Sequence, residues 1–145
     1  MKIKLDEGAI MPTKGYRTDA GYDLYSRDDI TIKAHNSAKF DTGVHVKIPR
    51  GYCGMLKSKS GLNVNHGITS EGVIDYGYTG SIVAKLHNHS DEDYHVSKGD
   101  KITQLVITQI LTPSLEIVDE IIYDDADRGD RGFGSSGKQR GITYA

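Results

Sequence analysis

Val44, Val46 and Ile48 alternate with His45 and Lys47, and Ile82, Ala84 and Leu86 alternate with Val83, Lys85 and His87. A period of two belongs to a strand with one buried face, whereas a helix needs apolar residues three and four apart. Lys101 to Ile110, rich in Ile, Val and Thr, follows the turn Lys98-Gly99-Asp100, and Gly51 to Leu56 is a further short strand candidate. Turn residues recur roughly every 8–12 positions, which favours an all-β sandwich or barrel over alternating βα units. Glycine is abundant to match, at 17 of 145 residues, roughly 12% against an average near 7%. Helical signal is confined to a turn or two at Ser60–Val64. Ser114–Tyr123 fits either period, and Pro113 with the β-branched residues favours a strand there.

At 15.9 kDa the chain suits one domain with a real core. A net charge of −2 argues against a non-specific nucleic-acid binder, which is usually strongly basic. No apolar run approaches the roughly 20 residues of a membrane span. Met1–Asp6 lacks the apolar stretch of a signal peptide. Cys53 is the single cysteine, so an intrachain disulfide and a CxxC site are excluded, and a reducing, cytoplasmic location is expected, the host cytoplasm if the source is viral.

Four segments carry candidate chemistry. From Asp124 onward the chain is polar and glycine-rich, with little to bury, and is expected to stay mobile until something binds it. Within it, Gly132-x4-Gly137-Lys138 approaches a phosphate-binding P-loop, but Gln139 stands where Ser or Thr is needed, and no strand precedes it. Two readings of this tail are equally open. It is a solvated tail with one stray aromatic, or an arm whose glycines, Ser135, Ser136, Arg128 and Arg131 receive a phosphorylated ligand while Phe133 meets a flat ring. Lys57-Ser58-Lys59-Ser60-Gly61 puts cations and hydroxyls where a short helix can begin, favourable for an anion, although a solvated basic turn is the commoner case. Asp75 ends an apolar run and opens a Tyr/Gly turn. There it can act on a water as general base or merely bond turn amides. Asp23 in Ala20-Gly21-Tyr22-Asp23-Leu24 can serve Mg²⁺ through water or be a turn aspartate. The scattered histidines, His87 and His89 included, lack the partners of a zinc site.

Taken in order, these segments resemble the five motifs of the trimeric dUTP diphosphatase (dUTPase) family. Ala20–Leu24 resembles the first, Lys59-Ser60-Gly61-Leu62 the second and Gly72-Val73-Ile74-Asp75 through Tyr78-x-Gly80 the third. Gly99-Asp100-Lys101-Ile102-x-Gln104-Leu105 resembles the fourth, and Arg128-Gly129-x-x-Gly132-Phe133-Gly134-Ser135-Ser136-Gly137 the fifth. The resemblance implies a jelly-roll-like β domain over residues 1–123 and a mobile arm over 124–145 that closes on a neighbouring subunit's site in a homotrimer. It implies hydrolysis of dUTP to dUMP and pyrophosphate with Mg²⁺ on the triphosphate, limiting uracil in DNA and supplying dUMP for thymidylate synthesis. In that pattern Asp75 activates the water that attacks the α-phosphorus, and Tyr78 lies on the deoxyribose and excludes a 2′-hydroxyl. Lys59, Ser60, Gly61 and Gln104 hold phosphate oxygens, and Asp23 touches the metal's water shell. Arg128, Gly134, Ser135 and Ser136 grip the terminal phosphates and Phe133 stacks on uracil. The base is read largely by backbone groups between Thr69 and Val83, Ile82 included.

Two positions depart from the family pattern: Lys59 stands where Arg is usual, keeping charge without the planar fork, and Thr69 stands where many relatives carry Asn. Two rival functions remain. A dCTP deaminase-like enzyme of the same fold would place a glutamate where Lys85 stands, and a nucleotide-gated regulatory protein would use the same scaffold to bind a protein partner.

Overall fold

The computed structural model describes residues 1–124 and Gly129. Ten strands and one helix occupy the first compact unit, Met1–Thr112. The principal sheet has the order β2-β10-β6-β7-β8-β4, with β2 at Gly21–Tyr25, β4 at Ser37–Asp41 and β6 at Tyr52–Lys57. Strands β7, β8 and β10 run over Ile68–Ile74, Val83–Asn88 and Lys101–Gln109. Every pairing is antiparallel. Two small ladders complete the unit: β1 (Lys2–Leu5) with β5 (Val44–Lys47), and β3 (Ile30–Ile32) with β9 (Tyr94–Val96).

The alternation read from sequence is the alternation of burial. Val44, Val46 and Ile48 are buried, as are Ile82, Ala84 and Leu86, while Val83, Lys85 and His87 are exposed. They meet Leu24, Phe40, Leu56, Ile102 and Leu105 in one continuous core. The one helix among the described residues, α1 at Ser60–His66, ends on Gly67, whose φ of 66° is the left-handed geometry that glycine adopts without a Cβ penalty. Asn88 is buried with its amide fully used: it donates to the carbonyls of Ile32 and Glu92 and accepts from the N–H and hydroxyl of Ser90. No helix among the described residues is long and apolar enough to cross a membrane.

Between Pro113 and Tyr123 the expected strand is not formed. These residues carry no regular element and their large apolar side chains are exposed, Ile117 at 99%. A strand exists only through a partner's backbone bonds, and none among the described residues is paired with this segment.

Candidate active site

Strands β2, β10 and β6 assemble a compact charged cluster. Asp23 on β2 lies opposite Gln104 on β10, and Gln104 lies opposite Lys57 on β6, so the three side chains share one face of the sheet. Lys101 is three residues from Gln104 and by simple alternation belongs on the other face. A bulge between Lys101 and Thr103 in the pairing with β2 corrects this. One extra residue reverses the parity, which is why Ile102 and Thr103 are both buried in succession and why Lys101 comes round to Asp23.

The carboxylate of Asp23, 3% exposed, accepts from Lys59 Nζ at 2.5 Å on one oxygen and from Lys101 Nζ at 2.8 Å on the other. Burial alone would raise its pKa. The bonds from Lys101 and Lys59 outweigh that and hold it below the ordinary carboxylate value, while Lys101 is held above the ordinary lysine value by the same bond. Lys59 is the residue before α1, with extended backbone; Ser60 is exposed and a side chain built at Gly61 would meet open space. Gln104 donates its amide to the carbonyl of Ser58 at 3.0 Å, beside Lys59. Two cations against one carboxylate, with donors around them, leave one net positive charge for an anionic ligand.

A metal held by these side chains is a different matter. The described residues contain no group of three acidic, histidine or cysteine side chains suited to an ion, and both oxygens of Asp23 already face ammonium groups. The donor set therefore does not fit a Mg²⁺ held directly by these side chains; Asp23, expected to touch a metal's water shell, has each oxygen on an ammonium group.

The second part of the site is the connection between β7 and β8. Their ladder covers only Ile68–Ser70 against Asn88–Leu86. Beyond it β7 continues to Ile74 against β6, and β8 runs back to Val83 against β4. The hairpin is thus splayed, with backbone on its two inner edges not engaged in the ladder. Asp75 is the first residue of the turn at its mouth, closed by the Tyr78 N–H to the Asp75 carbonyl at 3.0 Å, and it is exposed. The Tyr78 hydroxyl donates to the Ser81 carbonyl at 2.9 Å. A Cβ at Gly80 would overlap the Tyr78 ring, so glycine is what lets the ring fold back over the turn.

Ile82 is placed in the core, with its N–H bonded to Val44 and its carbonyl accepting from Thr42; it anchors the return strand and is not brought to the hairpin's open edge. Thr69 sits at the far end of β7, its hydroxyl 2.8 Å from His89 Nε2. Arg128, Phe133, Gly134, Ser135 and Ser136 lie outside the described residues. Lys101, which closes the ion pair with Asp23, was not singled out from sequence. Its place in Gly99-Asp100-Lys101 was a usable signal, but the bulge that turns it inward has no local signature.

The register also separates the two parts. Ile74 lies opposite Gly54 near the start of β6, whereas Lys59 follows the end of β6. At about 3.3 Å per residue, Asp75 and Lys59 stand roughly 20 Å apart along the sheet.

Fold and site together define a β protein with a donor-rich cation cluster around Asp23 and, well separated from it along the sheet, an exposed carboxylate at the mouth of a splayed hairpin. The dUTPase family model matches residues 7–137. The chain is 43% identical over 129 residues to the deoxyuridine 5'-triphosphate nucleotidohydrolase of Candida albicans, covering 88% of this chain and 81% of that one. It superposes with TM-score 0.86 and 33% identity on the dUTPase of Staphylococcus bacteriophage 80alpha with bound dUpNHpp, covering 94% and 97% of the two chains. A mutant dUTPase of phage phi11 of S. aureus, described as coordinating a structural Mg(II) ion, matches with TM-score 0.76 and 32% identity over 82% of this chain and 96% of that one. This chain belongs to the dUTPase family, and its fold is the jelly roll of those enzymes.

Proposed function

We infer that this chain hydrolyses dUTP to dUMP and pyrophosphate, and that the splayed hairpin is where the nucleoside is read. The observation that carries the assignment within the site is the early end of the β7–β8 ladder. It leaves backbone donors and acceptors along two facing edges, with Asp75 and Tyr78 at the mouth. Uracil is a flat ring with alternating donor and acceptor groups, and such a slot suits it. Asp75 takes a proton from water as the water oxygen bonds to the α-phosphorus. The bond from that phosphorus to the oxygen bridging to the β-phosphate breaks, and pyrophosphate leaves with the electron pair. Phosphoryl transfer asks mainly for positioning and charge neutralisation, and the Lys59, Lys101, Ser60 and Gln104 group supplies donors for the phosphate oxygens. Mg²⁺ arrives as part of the substrate, on the triphosphate.

A site shared between subunits of a homotrimer is part of the same proposal. Reacting groups must approach within about 3 Å, and the roughly 20 Å along the sheet between Asp75 and Lys59 puts them on different sites of one chain. A symmetric assembly brings one chain's hairpin to another's cation cluster. The exposed apolar side chains of Leu111, Leu115, Ile117, Ile121 and Ile122 support an assembly that covers them. Residues 124–145 then act as an arm over a neighbouring site, with Arg128, Ser135 and Ser136 on the phosphates and Phe133 on the base.

The deaminase alternative needs a carboxylate where β8 carries Lys85, which is exposed on the outer face. Incubation of purified protein with dUTP and, separately, dCTP decides between them: pyrophosphate from dUTP is expected, and ammonia from dCTP with no pyrophosphate overturns the assignment. Nucleotide binding without turnover would point instead to the regulatory alternative.

A further inference from the structure

His45 lies on β5, outside every motif discussed so far. Its Nδ1 is 2.8 Å from the carbonyl oxygen of Thr79, and its Nε2 is 3.0 Å from Oδ2 of Asp6. A carbonyl and a carboxylate only accept. A neutral imidazole has one N–H and one bare nitrogen, so it can satisfy one of these partners but not both. Both bonds together require the imidazolium.

The position of Thr79 gives this pair of bonds a consequence. Thr79 follows Tyr78 in the connection between β7 and β8, an exposed stretch with little packing of its own. At the base of the connection, Ile82 is fixed by backbone bonds to Val44 and Thr42, and the Ser81 hydroxyl donates to Asp41. At its start, the Tyr78 N–H to Asp75 carbonyl bond closes the turn on itself. Between these, the His45–Thr79 bond ties the turn to β5, and through Asp6 to the residue that follows β1. Asp6 is in turn fixed by its N–H to the Gly43 carbonyl at 2.9 Å.

We infer that His45, as the imidazolium, is a positioning residue for the nucleotide site proposed above: it clasps the turn carrying Asp75 and Tyr78 to Asp6, and loss of its proton opens one end of the clasp.

The charges facing His45 decide when this happens. Asp6 favours the cation. Lys4, opposite His45 in the β1–β5 pairing and 3.3 Å from Asp6 Oδ1, opposes it. Lys2 and Lys47 line the same surface cavity as His45 and Thr79, and Asp41 is near enough to Asp6 for the two carboxylates to repel. The bond to Asp6 and the bond to Thr79 prevail, and the histidine titrates above its ordinary 6.5. A raised folded value means that the clasp is complete below about 6.5 and is lost as pH rises through that folded value. The site is therefore held in acid and loosened as pH rises through that raised value.

The test uses the intact chain. NMR of the imidazole nitrogens should find both protonated at pH 6.5, with a titration above the ordinary value that falls in Asp6→Asn. Amide exchange of Tyr78, compared with wild type at each pH, should be severalfold faster in His45→Phe near pH 6.5, and the difference should shrink above the His45 titration. The ratio of kcat/KM for UTP to that for dUTP should rise severalfold in wild type across the same interval. In His45→Phe it should be high and flat, and in His45→Gln, which keeps a donor but cannot titrate, flat and closer to the acid wild-type value. If His45→Phe does not fold, Asp6→Asn carries the same comparisons, since it leaves the ring and the Thr79 carbonyl in place.

A ring that titrates at or below 6.5, or Tyr78 exchange unchanged by the variants, overturns the clasp. A clasp seen by NMR and exchange with an unchanged UTP/dUTP ratio in a protein that turns over dUTP overturns the positioning role. A clasp present in a protein that turns over no dUTP leaves the clasp standing but removes the proposed function and, with it, the positioning role of His45.

Discussion

Asp75 and Gly80 sit five residues apart in one turn and are expected to fail differently. Asp75→Asn keeps shape and hydrogen bonding but cannot accept the water's proton. Turnover should fall by about 10²–10⁴-fold, the usual cost of a lost general base, with nucleotide binding retained; steady-state kinetics beside a binding titration check this. Gly80→Ala adds a methyl group where the Tyr78 ring lies. The ring is half exposed and can swing away, so the fold should survive while discrimination against UTP weakens, in the same direction as Tyr78→Ala and by less. The ratio of kcat/KM values for the two nucleotides measures it. An unchanged ratio in both variants would mean that the sugar is selected elsewhere.

Asp23 and Asn88 join elements, and their removal should be felt as lost stability. Asp23 holds the start of β10 and the residue before α1 against β2. Its folded pKa is lowered below 3.8, so its contribution is fully present above that value and is lost as pH falls through the folded one. Wild type should therefore be more stable than Asp23→Asn at pH 7, by about 1–3 kcal/mol, and the gap should narrow as pH falls below 3.8; urea midpoints at pH 7 and pH 3 give the comparison. Asn88 ties β8 to β3 and to the loop at Ser90–Glu92 through four bonds. Asn88→Ala takes the amide donor from the Ile32 carbonyl in the core and should cost about 1–3 kcal/mol, the usual range for a buried polar group that loses a partner. A thermal melt that barely moves would mean that water replaces the amide.

For the assembled protein the central expectation is a site built from more than one chain. Truncation after Asp127 should leave a folded trimer, because the compact β unit ends at Thr112, yet it removes Phe133 and the phosphate donors and should cut activity sharply. At about 3.3 Å per extended residue, Asp124 to Phe133 reaches some 30 Å, enough to cross to a neighbour. The truncated protein and Asp75→Asn are each expected to be inactive. Unfolded and refolded together, they should regain activity, because a hybrid trimer can pair Asp75 from one parent with an intact arm from the other. A mixture verified to contain hybrids but still inactive would mean that the arm serves its own chain.

The periodic and contiguous properties of this protein were already legible in its sequence. Alternation is local, so the burial of Val44, Val46, Ile82, Ala84 and Leu86 followed from spacing alone. The short helix after Lys59 was equally legible, as was the family, through motifs that are runs of neighbouring residues. Properties that depend on residues far apart in the chain were not. The ladder and its bulge bring Asp23 to Lys59 and Lys101, the splay of the hairpin follows from where β7 changes partner, and His45 meets both Asp6 and Thr79 only after folding. Ser114–Tyr123 makes the same point from the other side: its residues favour a strand, but a strand is a relation between two segments, and a propensity carries no information about whether the second is there.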